Sequence, residues 1–138
     1  MCLLIHVRAD GIPKPQAGSV TKQAAATGGA TLEALRQPKT EKGSLFSLGQ
    51  GCACEFLSDD ADWDEPFYRL DADQVGAIEK TLGVVRDAYG PHTFSVHAEW
   101  VGEPAVRKPS RPRSVSFAEL LSDIRRARIA NGITYRVS

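Results

Sequence analysis

The chain has 138 residues, of which 42% are hydrophobic and 25% are charged, and its 17 basic and 17 acidic residues give a formal net charge of zero. This length predicts one domain, and the balanced charge provides no overall field that would attract the chain to DNA or to an anionic membrane. No run reaches the roughly 20 apolar residues of a membrane span, and an odd number of cysteines is typical of a reducing compartment. We therefore expect a soluble, cytoplasmic protein without a membrane partner.

The first predicted element is a strand at Cys2–Arg8, where apolar residues alternate with a second set that contains Cys2 and His6. Residues 13–43 then contain few large apolar side chains, so we expect this low-complexity segment of the single domain to be mobile. Within it, Thr31–Arg36 predicts a short helix that stops before Pro38.

The most apolar stretch is Ser44–Leu57, which contains two of the three cysteines. Its alternation predicts one long bent strand, or two short strands that meet near Gly49–Gly51, because glycines in a strand are typical of bends and bulges. In such a strand Cys52 and Cys54 point to the same side.

Two helices are predicted after this stretch. Asp71–Tyr89 has a capping residue at its start and one apolar stripe, and Ser116–Asn131 has the capping-box spacing of Ser116 and Glu119. Asn131-Gly132 is typical of a helix end.

Three further strands are predicted: an alternating strand at His92–Gly102, a short strand near Val115 and a terminal strand at Ile133–Val137. The fold class is therefore α+β, with a sheet of four to five strands and two helices on one face. From Ser44 onward the order is that of a ferredoxin-like split βαβ unit, with an extra N-terminal strand. Without the strand near Val115 the order would be βαβαβ, which favours a parallel sheet.

Cys52-Ala53-Cys54 is the first candidate site. Zinc needs three or four converging thiolate or imidazole ligands, and Cys2 and His6, which share a face of the first strand, are candidates to complete the set. The alternative is that the cysteines pack in the core as small hydrophobic residues, which the sequence favours because the second CxxC pair of a strong zinc site is missing.

An acidic run follows at Ser58–Glu65 and places Asp60, Asp62 and Asp64 at calcium-loop positions. The sixth position is glutamate instead of glycine, so the run predicts a solvated loop rather than a calcium site. Trp63 within it is a candidate contact for a partner.

The basic residues of the segment 102–113 form the third candidate, a binding loop that contains Arg107, Lys108, Arg111 and Arg113. Nucleic acid is a disfavoured partner because no aromatic residues are interleaved for base stacking. A protein, including a second copy of this chain, is the favoured partner.

No catalytic motif is complete, and the side chains of Ser95, His97 and Glu99 on one strand point in parallel rather than at one another. The sequence therefore disfavours an enzyme and favours a non-catalytic binding or interaction module that self-associates. The alternatives are a thiol-based zinc or redox protein and a weak nucleic-acid binder.

Overall fold

A computed structural model describes residues 2–62, 64–89, 93–101 and 110–138. These residues form eight strands: β1 (Cys2–Ala9), β2 (Leu32–Leu35), β3 (Ser44–Leu48), β4 (Phe67–Arg69), β5 (Phe94–Val101), β6 (Arg111–Val115), β7 (Arg128–Ala130) and β8 (Ile133–Val137). They also form three α-helices: α1 (Ala17–Ala26), α2 (Val75–Tyr89) and α3 (Phe117–Arg125). None of these helices is long and apolar enough to span a membrane.

Six of the strands form one mixed sheet in the order β2-β3-β1-β5-β8-β6, and β4 pairs with β7 in a separate ribbon. The pair β6–β8 is parallel, and the other pairs are antiparallel. The α+β class is confirmed, but the predicted count of four to five strands and two helices is wrong. The ferredoxin-like order is not confirmed, because the first strand lies between β3 and β5 instead of being added to that unit.

The core lies between one face of the six-stranded sheet and the helices. Leu3, Ile5 and Val7 on β1 are buried, as the alternation predicts, while the residues between them are half-buried or exposed. Helix α2 lies between α1 and α3 and adds Ile78 and Leu82 to the same core. Burying each aliphatic side chain of this size contributes about 1.5–3 kcal/mol.

Both predicted helix starts are confirmed. Ser116 accepts a hydrogen bond from the backbone N–H of Glu119 at 3.1 Å, which is a standard N-cap. The predicted end of this helix at Asn131 is wrong, since α3 stops at Arg125 and Ala127 has a φ of 55°. Arg128–Ala130 instead forms β7, because pairing with β4 satisfies its backbone.

The segment 13–43 contains α1 and β2, so the short helix predicted at Thr31–Arg36 is wrong. Its sequence is made of good helix formers, but Leu32–Leu35 pairs with β3 along its whole length. Tertiary pairing therefore overrides local propensity here. The mobility of residues 13–43 stays a prediction.

Candidate thiolate site

The first ligand candidate, Cys2, is the first residue of β1 and is held by the sheet. It pairs with Val101 of β5 and is half-buried. Its backbone position is therefore set by strands that also form the centre of the core.

The other two cysteines lie in and just after a tight turn, not in a strand. The strand predicted across Ser44–Leu57 ends at Leu48, and Cys54 begins a single turn of 3₁₀ helix at Cys54–Phe56. The bend predicted near Gly49–Gly51 is confirmed, because both glycines have left-handed φ values, 87° and 79°. A Cβ atom at Gly49 would overlap the carbonyl oxygen of Cys52, so only glycine allows the turn to close this tightly.

Backbone hydrogen bonds attach this turn to the rest of the sheet. The N–H of Ala53 donates to the carbonyl of Leu3 at 2.7 Å, and the N–H of Gly49 donates to the carbonyl of Thr31 at 2.8 Å. Ala53 itself is fully buried. The turn is thus positioned by the fold, and its side chains at Cys52 and Cys54 are brought over the first residues of β1.

The three sulfur atoms converge. The Sγ atoms of Cys2, Cys52 and Cys54 all lie within 4.8 Å of one another, and among the described residues they are the group of three that could hold a metal ion. A tetrahedral zinc ion with Zn–S bonds of about 2.3 Å separates its sulfurs by about 3.8 Å. The three sulfurs therefore need to approach one another by only about 1 Å to reach that geometry.

The predicted reason for this convergence is wrong, although the same cysteines meet. The prediction placed Cys52 and Cys54 on alternate positions of one strand, whereas the structure brings them together through the turn and the 3₁₀ helix. Cys54 also packs against the hydrophobic core, which is the alternative role that the sequence favoured. All three cysteines are free thiols.

The backbone gives the two turn cysteines different acidities. The N–H of Cys54 and the neighbouring Cys54 thiol lower the pKa of Cys52, although burial and, to a smaller extent, the negative charge of Glu55 oppose this. Burial raises the pKa of Cys54, and the N–H of Leu3 partly offsets this by donating to its Sγ at 3.3 Å. Cys52 is therefore the thiol that ionises more readily, and thiolates are the form that binds metal or reacts.

His6 lies outside this group. It shares the face of β1 with Cys2, as predicted, but four residues further along, which is about 13 Å in a strand. Its ring instead contacts the ring of His97 on β5 edge to face, with centroids 5.3 Å apart. His97 in turn lies 3.7 Å from a carboxylate oxygen of Glu99.

The other predicted site residues do not join the three cysteines where the structure describes them. Trp63, Arg107 and Lys108 lie outside the described residues. Arg111 and Arg113 are exposed on β6, at the sheet edge far along the strand order from β3.

The predicted acidic loop pairs with a basic residue of its own chain. Asp60 and Glu65 contact Arg69 at 3.0 and 3.5 Å. A hydrogen bond from Ser58 lowers the pKa of Asp60 most, and the charge of Arg69 lowers it further. Exposed pairs of this kind add little stability.

Sequence reasoning predicted the bend at Gly49–Gly51 but missed the contacts of Leu3 and Glu33 that support the turn. Gly49 closes it, Leu3 supplies the N–H to Cys54, and the carboxylate of Glu33 accepts from the N–H of Gly51 at 3.4 Å. The sequence signal was the spacing Gly-x-Gly-Cys-x-Cys, in which two turn-forming glycines directly precede the cysteine pair.

The chain matches no family model, no curated protein and no solved structure.

Proposed function

We propose that this protein binds a single zinc ion through the thiolates of Cys2, Cys52 and Cys54. The observation that carries the proposal is the convergence of three sulfur atoms, from two segments 50 residues apart in the chain, within 4.8 Å. Three like donors that face one another gain little as thiols, but as thiolates they form a donor set suited to zinc or to Cu(I).

The net charge of the site favours divalent zinc over monovalent Cu(I). Zinc with three thiolates has a net charge of −1, whereas Cu(I) leaves −2. Glu33 accepts from the turn and the charge of Glu55 acts on Cys52, so the site already contains negative charge. A further negative charge is therefore disfavoured, and zinc is the better match.

Elemental analysis of the protein purified without chelators tests the proposal, with about one zinc per chain expected. Competition with a chromophoric chelator then gives the affinity of the wild type and of the variants Cys2→Ala, Cys52→Ala and Cys54→Ala. Each variant should bind zinc more than about a hundredfold more weakly, since losing a ligand costs more than losing a supporting residue.

His6→Ala is the matched control, because His6 lies on the same strand face as Cys2 but outside the group of sulfurs. Its zinc affinity should equal that of the wild type. The site would be refuted if the purified protein contains no zinc and if none of the three cysteine substitutions changes the zinc affinity.

The zinc-binding role also bears on location. Three free thiols in one cluster stay reduced and able to bind metal in a reducing compartment, which supports our proposal of a cytoplasmic protein.

A non-catalytic interaction module that self-associates remains the second proposal. Its support is the exposure of Arg111 and Arg113 on the edge strand β6. The pairing of Asp60 and Glu65 with Arg69 uses part of the acidic run within the chain, so less of it is left for a second copy. Sedimentation at low and high salt tests it, and a monomer at every salt concentration would remove it.

A further inference from the structure

The site described above offers three ligands, and zinc in proteins prefers four. Among the described residues, no histidine, aspartate, glutamate or further cysteine joins the group of Cys2, Cys52 and Cys54. The carboxylate of Glu33 is engaged elsewhere, because it accepts from the N–H of Gly51. A three-ligand site with an open position is typical of zinc that takes part in chemistry or exchange, whereas structural sites are closed.

The local structure is held by backbone hydrogen bonds and core packing that do not involve the thiols. Ala53 attaches the turn to β1, Gly49 attaches it to the residue before β2, and the 3₁₀ helix after the turn buries Phe56 to 2% exposure. The N–H of Asp71 donates to the carbonyl of Phe56 at 2.7 Å and joins this segment to the start of α2. The site is thus preformed by the fold, unlike the sites of small zinc domains that are unfolded without their ion.

The site is also accessible. All three cysteines are only partly buried, and Cys52 lies directly after Gly51, which is exposed. An incoming ligand can therefore reach the ion without unfolding of the core.

From these features, and on the basis of the proposed zinc site, we infer that the centre takes its fourth ligand from outside the chain, as the thiolate of a small thiol. In this step the thiol loses its proton to solvent, a zinc–sulfur bond forms, and a bound water leaves; no electron is transferred. The product has a net charge of −2 beside Glu33 and Glu55, so the fourth ligand is held weakly and remains exchangeable.

Cobalt-substituted protein tests this inference, because cobalt takes the zinc geometry and reports thiolate ligands through sulfur-to-metal charge-transfer absorption. Reduced glutathione is the probe, and S-methylglutathione, which has no thiol, is its matched control. We expect glutathione to raise the charge-transfer absorption about 1.3-fold, as the ligands go from three thiolates to four. S-methylglutathione should leave the spectrum unchanged.

The outcomes separate this inference from the proposed function. If no charge-transfer band forms on adding cobalt, the proposed zinc site itself fails. If the band forms but glutathione does not change it, or only removes cobalt from the protein without a mixed spectrum, the inference of an external thiolate ligand is overturned and the zinc site stands. A band that depends on protein concentration without added thiol would show that a second copy supplies the fourth ligand, which also overturns it.

A second measurement checks that the site is preformed. The amide NMR spectrum of the metal-free protein should match that of the zinc-bound protein except for the residues near positions 2, 52 and 54. Loss of the native spectrum on zinc removal would show a closed structural site and would overturn the inference.

Discussion

Two clusters of polar groups lie against the core, and they differ in whether their members satisfy one another. At the cluster around Asp123, the hydroxyl of Tyr135 donates to Asp123 Oδ2 at 2.8 Å and accepts from the N–H of Ala130 at 2.8 Å. Arg128 donates to Asp123 Oδ1 through two nitrogens, each at 3.3 Å, and its guanidinium lies 4.3 Å from the ring centroid of Phe67. Each of these donors has a partner, so the Asp123 cluster is structural.

The thiolate site is the opposite case. Its three sulfur groups face one another, and the hydrogen bonds from Leu3 and Cys54 that reach them are weak sulfur contacts. Three sulfur ligands that face one another without a cation add no stability to the fold. A bound metal ion would supply the missing partner. The comparison teaches that an incomplete polar cluster on a rigid frame, rather than a perturbed residue alone, is the better indication of a binding site.

The largest effect is expected from Gly49→Ala, which breaks the frame of the thiolate site. A Cβ atom there overlaps the carbonyl of Cys52 and the left-handed φ adds strain, so we expect a loss of about 3 kcal/mol in unfolding free energy. Urea unfolding measures it. Gly51→Ala is the matched control, because its φ is similar but its Cβ meets no atom within 4 Å, and it should cost about 1 kcal/mol. Equal losses in the two variants would contradict the role of close packing at Gly49.

Zinc should stabilise the wild type and not the site variants. Free zinc at one hundred times its dissociation constant raises the unfolding free energy by about 2.7 kcal/mol. Thermal unfolding with zinc and with a chelator measures this difference, and Cys54→Ala should show almost none of it. A wild-type melting temperature that is independent of zinc would contradict the prediction.

Tyr135→Phe should break the complete cluster and cost about 2 kcal/mol, because it leaves the buried N–H of Ala130 without an acceptor. Zinc affinity should be unchanged, which separates the two clusters.

Burial raises the pKa of Tyr135, so the folded protein keeps a proton that the unfolded chain releases above a pH of about 10. The wild type should therefore lose stability as the pH rises above that value, and the variant should lose less. Parallel pH profiles for the two proteins would contradict this.

The smallest effect is expected from Arg128→Lys, which keeps the charge near Asp123 but loses the planar contact with Phe67 and the double hydrogen bond. We expect a loss of about 0.5–1 kcal/mol in unfolding free energy, measured by urea titration. A loss as large as that of Tyr135→Phe would show that the arginine contributes as much to the cluster as the tyrosine, which contradicts the expected order.

Sequence patterns correctly predicted the strands and helices that are determined by residues close together in the chain. The alternation in β1 and β5 and the caps at Asp71 and Ser116 depend on neighbouring residues, so these elements were predicted correctly. Leu32–Leu35 was not, because its strand exists only through pairing with β3. The early end of α3 depends likewise on the pairing of Arg128–Ala130 with β4.

The candidate site was predicted in part for the same reason. The alternation in β1 correctly placed Cys2 and His6 on one face, but no sequence pattern shows which other strand end lies beside Cys2. The order and register of the sheet decide that, since they bring the turn after β3 next to the first residues of β1, whereas His6 pairs with Ser47 of β3 and with His97 of β5.

The place of β1 in the sheet also has a consequence for synthesis on the ribosome. Both of its neighbours, β3 and β5, are made after it, and Cys2 finds its partner only when Val101 has been translated. The apolar segment Leu3–Val7 therefore has two unpaired edges until β3 is made, and one unpaired edge until β5 is made. Such long-range pairing slows folding and exposes an aggregation-prone strand in the meantime. The nascent protein should therefore depend on chaperones more than its small size suggests, and a circular permutant that begins at β2 and places β1 directly after β8 should refold with different kinetics.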